Sequence, residues 1–170
     1  MTERQITYVT EGMLEAQRKW GPSRTSYPIT TTDIRRWAMA TYYPERPPPI
    51  YWDDEYAATT RWKTIIAPPD FNPFAWTLST GAPTKRSGPS LNAQPRHPEG
   101  KPLTGLNGGQ TDTYGVPMRP GDVVSTRSRL LDWTEREGRF GHTIYVRTEI
   151  EWKNQNDELV RTRISTSIRY

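Results

Sequence analysis

Between His142 and Trp152 the side chains Ile144, Val146, Thr148, Ile150 and Trp152 alternate with Tyr145, Arg147, Glu149 and Glu151. Successive side chains on a strand point to opposite faces, so a period of two over this length requires a strand with one buried and one wet face. Leu159 to Tyr170 repeats the pattern, with Val160, Thr162, Ile164, Thr166, Ile168 and Tyr170 against Arg161, Arg163 and Arg169. Asn107 to Val116 and Val123 to Arg136 are two further candidates. The joints are turn-forming: Arg119-Pro120-Gly121-Asp122, Glu137-Gly138-Arg139 and Asn154-Gln155-Asn156-Asp157. The last third is therefore expected to be an antiparallel meander. Its dry face must be covered by the first half of the chain.

That first half is helical and broken by proline. Glu11 to Arg18 suits a short helix stopped by Gly21-Pro22, and Tyr27 to Thr31 reads as extended. Thr32 is the expected N-cap of a helix over DIRRWAMATYY, with Asp33 at its positive end and Ile34, Trp37, Ala38 and Thr41 on one face. Trp37 reads as a core residue.

Tyr43 to Phe71 then holds six prolines, Pro44, Pro47, Pro48, Pro49, Pro68 and Pro69. Proline fixes φ and removes a donor, so this must be a shaped loop rather than the interior of a helix or strand. Asp53, Asp54 and Glu55 open a second short helix, where three carboxylates compensate the helix dipole more naturally than they catalyse. Ile65 to Ala67 is apolar enough to be inside, and Asp70 to Leu78 is expected to form a short buried helix after Pro68-Pro69.

Composition narrows the chemistry. At 170 residues the chain is one domain with its own core, 1–26 forming an N-terminal arm with a helix. Only 33% of residues are hydrophobic and mean hydropathy is −0.87, but 7 Trp and 9 Tyr supply large apolar surfaces. The absence of cysteine excludes disulfides and thiol chemistry, and two histidines, His97 and His142, leave little room for a metal site. No apolar run approaches the ~20 residues of a membrane span, and MTERQITYV lacks the layout of a signal peptide, so the expected address is the cytoplasm.

Residues 79–105 are rich in Gly, Pro, Ser and charge without a period and read as a long flexible loop. Between Thr84 and Lys101, four cations (Lys85, Arg86, Arg96, Lys101) against Glu99 give +3 of the chain's net +4. Nucleic acid calls for a broad basic face with interleaved aromatics; a single basic loop suits a phosphate-bearing small ligand just as well, and a merely solvated loop better still. His97 reads as a solvent-exposed imidazole, and His142, with no carboxylate evident beside it, as structural. Paired glycines in Asn107-Gly108-Gly109-Gln110 mark a bulge or a close backbone approach. Arg46 and Asp53 could pair across the proline loop.

A helical half lying against a long antiparallel sheet is the plan of a hot-dog fold. DIRRWA, PPPIYWDDEYA, IIAPPDF, LNGGQTDTYGVPMRPGDVV, EREGRFG and NDELVRTRISTSIRY, in that order from about Tyr27 to Tyr170, resemble the MaoC-like hot-dog superfamily. The match is to the N-terminal, non-catalytic domain of fatty-acid-synthase-type dehydratases and enoyl-CoA hydratases. The resemblance implies an α+β class: a single hot-dog domain over 1–170, its antiparallel sheet wrapped around a central helix.

Active members of the superfamily hydrate or dehydrate a C2–C3 bond of a CoA or carrier-protein thioester. An Asp and a His in an Asp-x-Asn-Pro-x-His loop grip one water, and a backbone N–H polarises the thioester carbonyl. Carried onto this chain, the His slot holds Tyr51 and the Asp slot Arg46. Shifting by one brings in Glu45 but puts Ile50 in the His slot. At the oxyanion position stand Pro68 and Pro69, which have no N–H to donate, leaving the amides of Asp70 and Phe71. No residue is therefore expected to be catalytic.

The expected function follows from this resemblance. The chain would be a substrate-accommodating subunit of a heteromeric enoyl-CoA hydratase or 3-hydroxyacyl thioester dehydratase, a lyase of lipid metabolism. A second MaoC-type chain, in a heterodimer or heterotetramer, would carry the Asp and His. A silenced site makes room for a bulky acyl group, in a tunnel with Tyr51, Trp52, Ile65, Ile66, Phe71, Phe74 and Trp76 as candidate lining. Each of these aromatics could equally be core filling. Lys85, Arg86, Arg96 and Lys101 are candidate contacts for CoA phosphates. No cofactor or metal is expected, the CoA thioester being substrate, and neither nucleic acid nor membrane is expected as partner. The alternative is a homodimeric acyl-CoA-binding protein without catalysis. A third reading, an isolated catalyst built on Glu45, Asp53 or His97, would require a bell-shaped pH–rate profile.

Overall fold

The computed structural model describes residues 6–75 and 93–170. Their elements run α1 (Glu11–Ala16), β1 (Arg24–Thr25), α2 (Thr31–Tyr42), a 3₁₀ turn at Pro49–Tyr51, α3 (Asp54–Thr59), β2 (Gly105–Tyr114), β3 (Ser125–Gly138), β4 (Gly141–Lys153) and β5 (Leu159–Arg169). The strands form one antiparallel sheet in the order β1-β3-β4-β5-β2. All four long strands expected from the alternation are present. β3, β4 and β5 form the meander, but β2 does not continue it. It pairs with β5 at the far edge, and the connection after it crosses back to β3 through Met118 and Val124, both buried. No described helix is long and apolar enough to cross a membrane.

The helix starts show why local chemistry decides boundaries. α2 is capped by Thr30, two residues before the expected Thr32. The Thr30 hydroxyl accepts from Asp33 N at 3.1 Å while the Asp33 carboxylate accepts from Thr30 N, also at 3.1 Å. This reciprocal capping box satisfies two otherwise orphaned donors, an advantage Thr32 cannot offer because its N3 position holds an arginine. α1 ends at Ala16 rather than at Arg18, because Arg18 adopts φ 60° and donates its N–H to Leu130 O at 2.7 Å, diverting the chain along the edge of β3. The helix expected from Asp70 to Leu78 is absent from its described part: 70–75 is a series of turns. Pro73 has no N–H and disfavours a helical Asn72, whose side chain accepts from Phe74 N at 3.1 Å. The remainder of that stretch lies outside the described residues.

Two apolar clusters cover part of the inner face. One holds Ile34 of α2 with Ala67, Phe71, Phe74, Val124, Trp152 and Val160, and Trp37 packs against it, confirming its core role. The other joins Tyr8 and Met13 of the N-terminal arm to Leu130, Ile144 and Val146. Each large side chain fully buried this way contributes about 1.5–3 kcal/mol. The outer face carries the ion pairs Arg127–Glu151, Arg129–Glu149 and Arg147–Asp132.

One facial assignment from the sequence is reversed. Directly opposed residues share a face, and the register sets Arg161 opposite Trp152, Arg163 opposite Ile150 and Arg169 opposite Ile144. The three arginines therefore occupy the inner face, and Arg161 is only 2% exposed. A register shift between Trp152 and Lys153 separates β5's alternation from that of β4, so each pattern is sound alone and their phase is not. The Asn107–Gln110 glycines do form a bulge: Gly109 sits at φ 97°, and a Cβ on Gly108 would stand 2.9 Å from Thr166.

Candidate functional site

The proline-rich stretch is built on backbone carbonyls. Tyr51 N and Trp52 N donate to Pro48 O and Pro49 O, both at 3.1 Å, and Asp53 N donates to Pro49 O at 2.8 Å. The Trp52 indole N–H reaches back to Pro47 O at 2.9 Å, closing the loop on itself. Asp53 then caps α3 through Tyr56 N, and Arg35 of α2 clamps the junction by donating to Trp52 O (2.9 Å) and pairing with Asp54 (2.5 Å). The expected Arg46–Asp53 pair is not made. Asp53 is spent on its cap, and the Arg46 guanidinium lies 4.2 Å above the Trp52 ring.

Arg46, Tyr51, Pro68 and Pro69 are the residues that the sequence resemblance sets at the acid, base and oxyanion-donor slots. Arg46 is exposed and held on an indole. The Tyr51 ring centroid is 6.0 Å from that of Tyr42, and the phenol's pKa is pushed above its usual 10.0 by burial first and by Tyr42 next, so it stays protonated at neutral pH and cannot serve as a base. Pro68 is fully buried, and its carbonyl accepts from Phe71 N at 3.0 Å. That bond removes one of the two amides left as oxyanion donors, leaving Asp70. The Pro69 carbonyl accepts from Arg161 Nη1 at 3.4 Å.

Of the tunnel candidates, Ile65, Phe71 and Phe74 are buried, and Phe71 and Phe74 meet Trp37 and Trp152 at ring-centroid distances of 5.5 and 6.4 Å. Tyr51, Trp52 and Ile66 are half-buried on the loop, where Ile66 N donates to Ile50 O at 3.3 Å. Trp76 lies outside the described residues, as do Lys85 and Arg86. Lys101 pairs with Glu99 at 2.6 Å, and Arg96 shares a surface cavity with Thr10, Glu11, Gly12 and Glu15.

Both histidines gather round Tyr8 rather than in the proline loop. His97 is half-covered, not exposed: its ring lies 5.5 Å from that of Tyr8, and its Nδ1 accepts from Glu99 N at 3.1 Å. His142 keeps its expected structural role, but not the expected absence of a carboxylate beside it. Its Nε2 is 3.0 Å from Glu135 and its Nδ1 2.6 Å from Glu137, two carboxylates brought to its face by the β3–β4 hairpin. The signal was present in the spacing, since Glu135 and Glu137 alternate on one face and fold back across Gly138 and Gly141. Glu135 also accepts from Tyr8 N (2.6 Å) and Thr7 Oγ1 (2.8 Å), tying the N-terminal arm to the sheet. Burial alone would lower the His142 pKa, but the hydrogen bonds to Glu135 and Glu137 outweigh it and the pKa is raised. With both ring nitrogens engaged, His142 has none left to hold a water, and the cluster is a fastening.

Comparison with known proteins places this architecture. The family model for the FAS1-like dehydratase domain region matches residues 19–163. The chain belongs to this family. Its fold is the hot-dog fold of solved MaoC-like dehydratases. A Thermomonospora curvata protein described as "Probable enoyl-CoA hydratase alpha subunit" is 26% identical over 153 residues, 84% of this chain and 45% of that protein. The chain thus spans about half the length of that relative. Among solved structures, a chain of the ChsH1-ChsH2 complex from Mycobacterium tuberculosis superposes with a TM-score of 0.72 at 19% identity, covering 94% of each chain. The R-hydratase PhaJ1 from Pseudomonas aeruginosa superposes with a TM-score of 0.57 at 20% identity, covering 96% of this chain and 87% of that one. The sheet described above is thus the hot-dog sheet expected from the sequence.

Proposed function

We propose that this chain is the non-catalytic, substrate-accommodating subunit of a heteromeric enoyl-CoA hydratase or 3-hydroxyacyl thioester dehydratase. The observation that carries the reading is the state of the three slots: a guanidinium laid on Trp52, a phenol held protonated, and two prolines where a peptide N–H would be needed. A missing acid alone could be compensated; losing acid and base together, with only the Asp70 amide left as an oxyanion donor, removes the reaction. The relative described as an alpha subunit and the two-component complex of the ChsH1-ChsH2 structure support a paired arrangement.

In this arrangement a second hot-dog chain brings a carboxylate and an imidazole to one water. Hydroxide adds at C3 of the enoyl thioester and a proton is delivered to C2, the reverse giving dehydration. This chain contributes walls. Tyr51, Trp52 and Ile66 are the half-buried apolar groups facing the loop's surroundings, and a site freed of polar catalytic groups suits a bulky acyl chain. β2, at the sheet edge and exposed along nearly all its length, offers the unpaired backbone along which a partner sheet adds.

The test is co-expression with a hot-dog chain bearing the Asp-x-Asn-Pro-x-His loop, followed by sizing and an enoyl-CoA hydration assay. A stable complex whose activity vanishes when the partner's imidazole is replaced is expected. Stable homodimers of this chain that bind acyl-CoA and ignore the partner would instead favour a binding protein without catalysis.

A further inference from the structure

Among the described residues, exposed cations without a carboxylate partner gather around Trp62. Trp62 carries two guanidinia, Arg61 at 4.2 Å and Arg119 at 5.7 Å from its ring centroid, and Lys63 follows directly in the chain. Two different segments meet here because Ala67 N donates to Met118 O at 2.8 Å. The turn that presents Trp62 and Lys63 hangs from Thr60, whose hydroxyl accepts from Trp62 N (3.2 Å) and whose carbonyl accepts from Lys63 N (3.2 Å).

A second indole, Trp20, makes the comparison. Arg127 and Arg129 lie 4.4 and 4.3 Å from its centroid, but each is neutralised by a cross-strand carboxylate, Glu151 at 2.8 Å and Glu149 at 2.6 Å. Around Trp62 no carboxylate pairs with Arg61, Lys63 or Arg119 among the described residues, and residues 76–92 contain no Asp or Glu. The adjacent Asp122 is turned away, its two oxygens accepting from Arg119 N (2.8 Å) and Gln155 Nε2 (3.1 Å). Two exposed guanidinia share one ring with the exposed Lys63 next to it in the chain, its ammonium 3.5 Å from Ala58 O, and a guanidinium resting on an aromatic face has given up part of its side-chain freedom before a ligand arrives.

We propose that Arg61, Lys63 and Arg119 around Trp62 form a binding site for the phosphate groups of a nucleotide-bearing ligand, namely the adenosine 3′,5′-bisphosphate end of a coenzyme A thioester. Planar guanidinia match phosphate oxygens bidentately, and the ammonium of Lys63 adds a mobile point charge. Tyr51 and Ile66 belong to the same loop, so a thioester anchored by its phosphates at Trp62 can lay its acyl end against them. The nature of the ligand rests on the functional reading above; the site itself rests on the cations.

Calorimetric titration of the purified chain with adenosine 3′,5′-bisphosphate tests it. Saturable binding that weakens with added salt is expected, reduced roughly tenfold or more by Arg119→Ala or Arg61→Ala, and unchanged by Lys101→Ala. All three side chains are exposed, and thermal melts matching the parent confirm folding of each variant. Absence of binding, or a loss that follows Lys101→Ala instead of Arg119→Ala, overturns the proposal. The titration needs neither partner nor turnover, so binding that persists while the hydration assay fails would bring down the hydratase reading and leave this site standing.

Discussion

His142 illustrates how much a single side chain can depend on its hairpin. Its raised pKa gives a stability contribution that is complete below the ordinary histidine value of 6.5 and is lost as pH rises through the higher folded value. Burial would raise the Glu135 pKa, but hydrogen bonds from Tyr8 N, His142 and Thr7 override it. The net lowering makes its contribution complete above 4.5 and lost as pH falls through the folded value. The fastening of the N-terminal arm is therefore strongest between those limits. In urea melts, His142→Gln is expected to remove the decline in stability on the alkaline side while leaving the acid side in place. Glu135→Ala, which strips partners from Tyr8 N, Thr7 and His142 at once, should cost about 1–3 kcal/mol, against about 0–1 for Glu137→Ala, whose side chain is 72% exposed. A buried cation gives the opposite lesson. Burial first, and Arg163 second, depress the Arg161 pKa to about 10, while Asp112 is already held by Arg163 in two bonds of 2.7 and 2.8 Å. Arg161→Met is expected to leave the melting temperature unchanged or raise it, whereas Arg163→Met, which strands Asp112, should lower stability by about 2 kcal/mol.

At the scale of elements, the sequence was legible wherever a period or a cap was local. The strands emerged within a few residues because alternation is a property of each strand alone, and Asp53 could be read as a helix start because its N-cap bond to Tyr56 spans only three residues. What escaped was relational. The pairing of β2 with β5, the inward turn of Arg161, Arg163 and Arg169, and the meeting of His142 with Glu135 all depend on the phase between strands, which no single segment encodes. The Thr30–Asp33 box is a smaller case, where two threonines compete and reciprocity selects one. Thr30→Ala is expected to cost about 1 kcal/mol in equilibrium unfolding and Thr32→Ala almost nothing. In the proline loop a shaped turn and a helix start were legible, but not the engagements of the side chains. Asp53 was free on paper to meet Arg46, and only the fold shows it committed to α3 while Trp52 takes the guanidinium.

For the molecule as a whole, the picture is a hot-dog sheet whose β3–β4 half is closed by two apolar clusters and whose β5–β2 half carries arginine, serine and an open edge. On the function proposed above, Arg46, Tyr51, Pro68 and Pro69 fill the reactive slots, this chain supplies walls and a sheet edge, and turnover belongs to an assembly whose second chain moves the protons. The most direct measurement is the steady-state hydration of an enoyl-CoA by the purified chain, alone and after addition of a partner carrying the Asp and His. The account predicts no turnover above the uncatalysed rate for the chain alone, and turnover in the mixture that Tyr51→Phe leaves within a few-fold of the parent. Turnover by the lone chain, abolished by Tyr51→Phe, would contradict it.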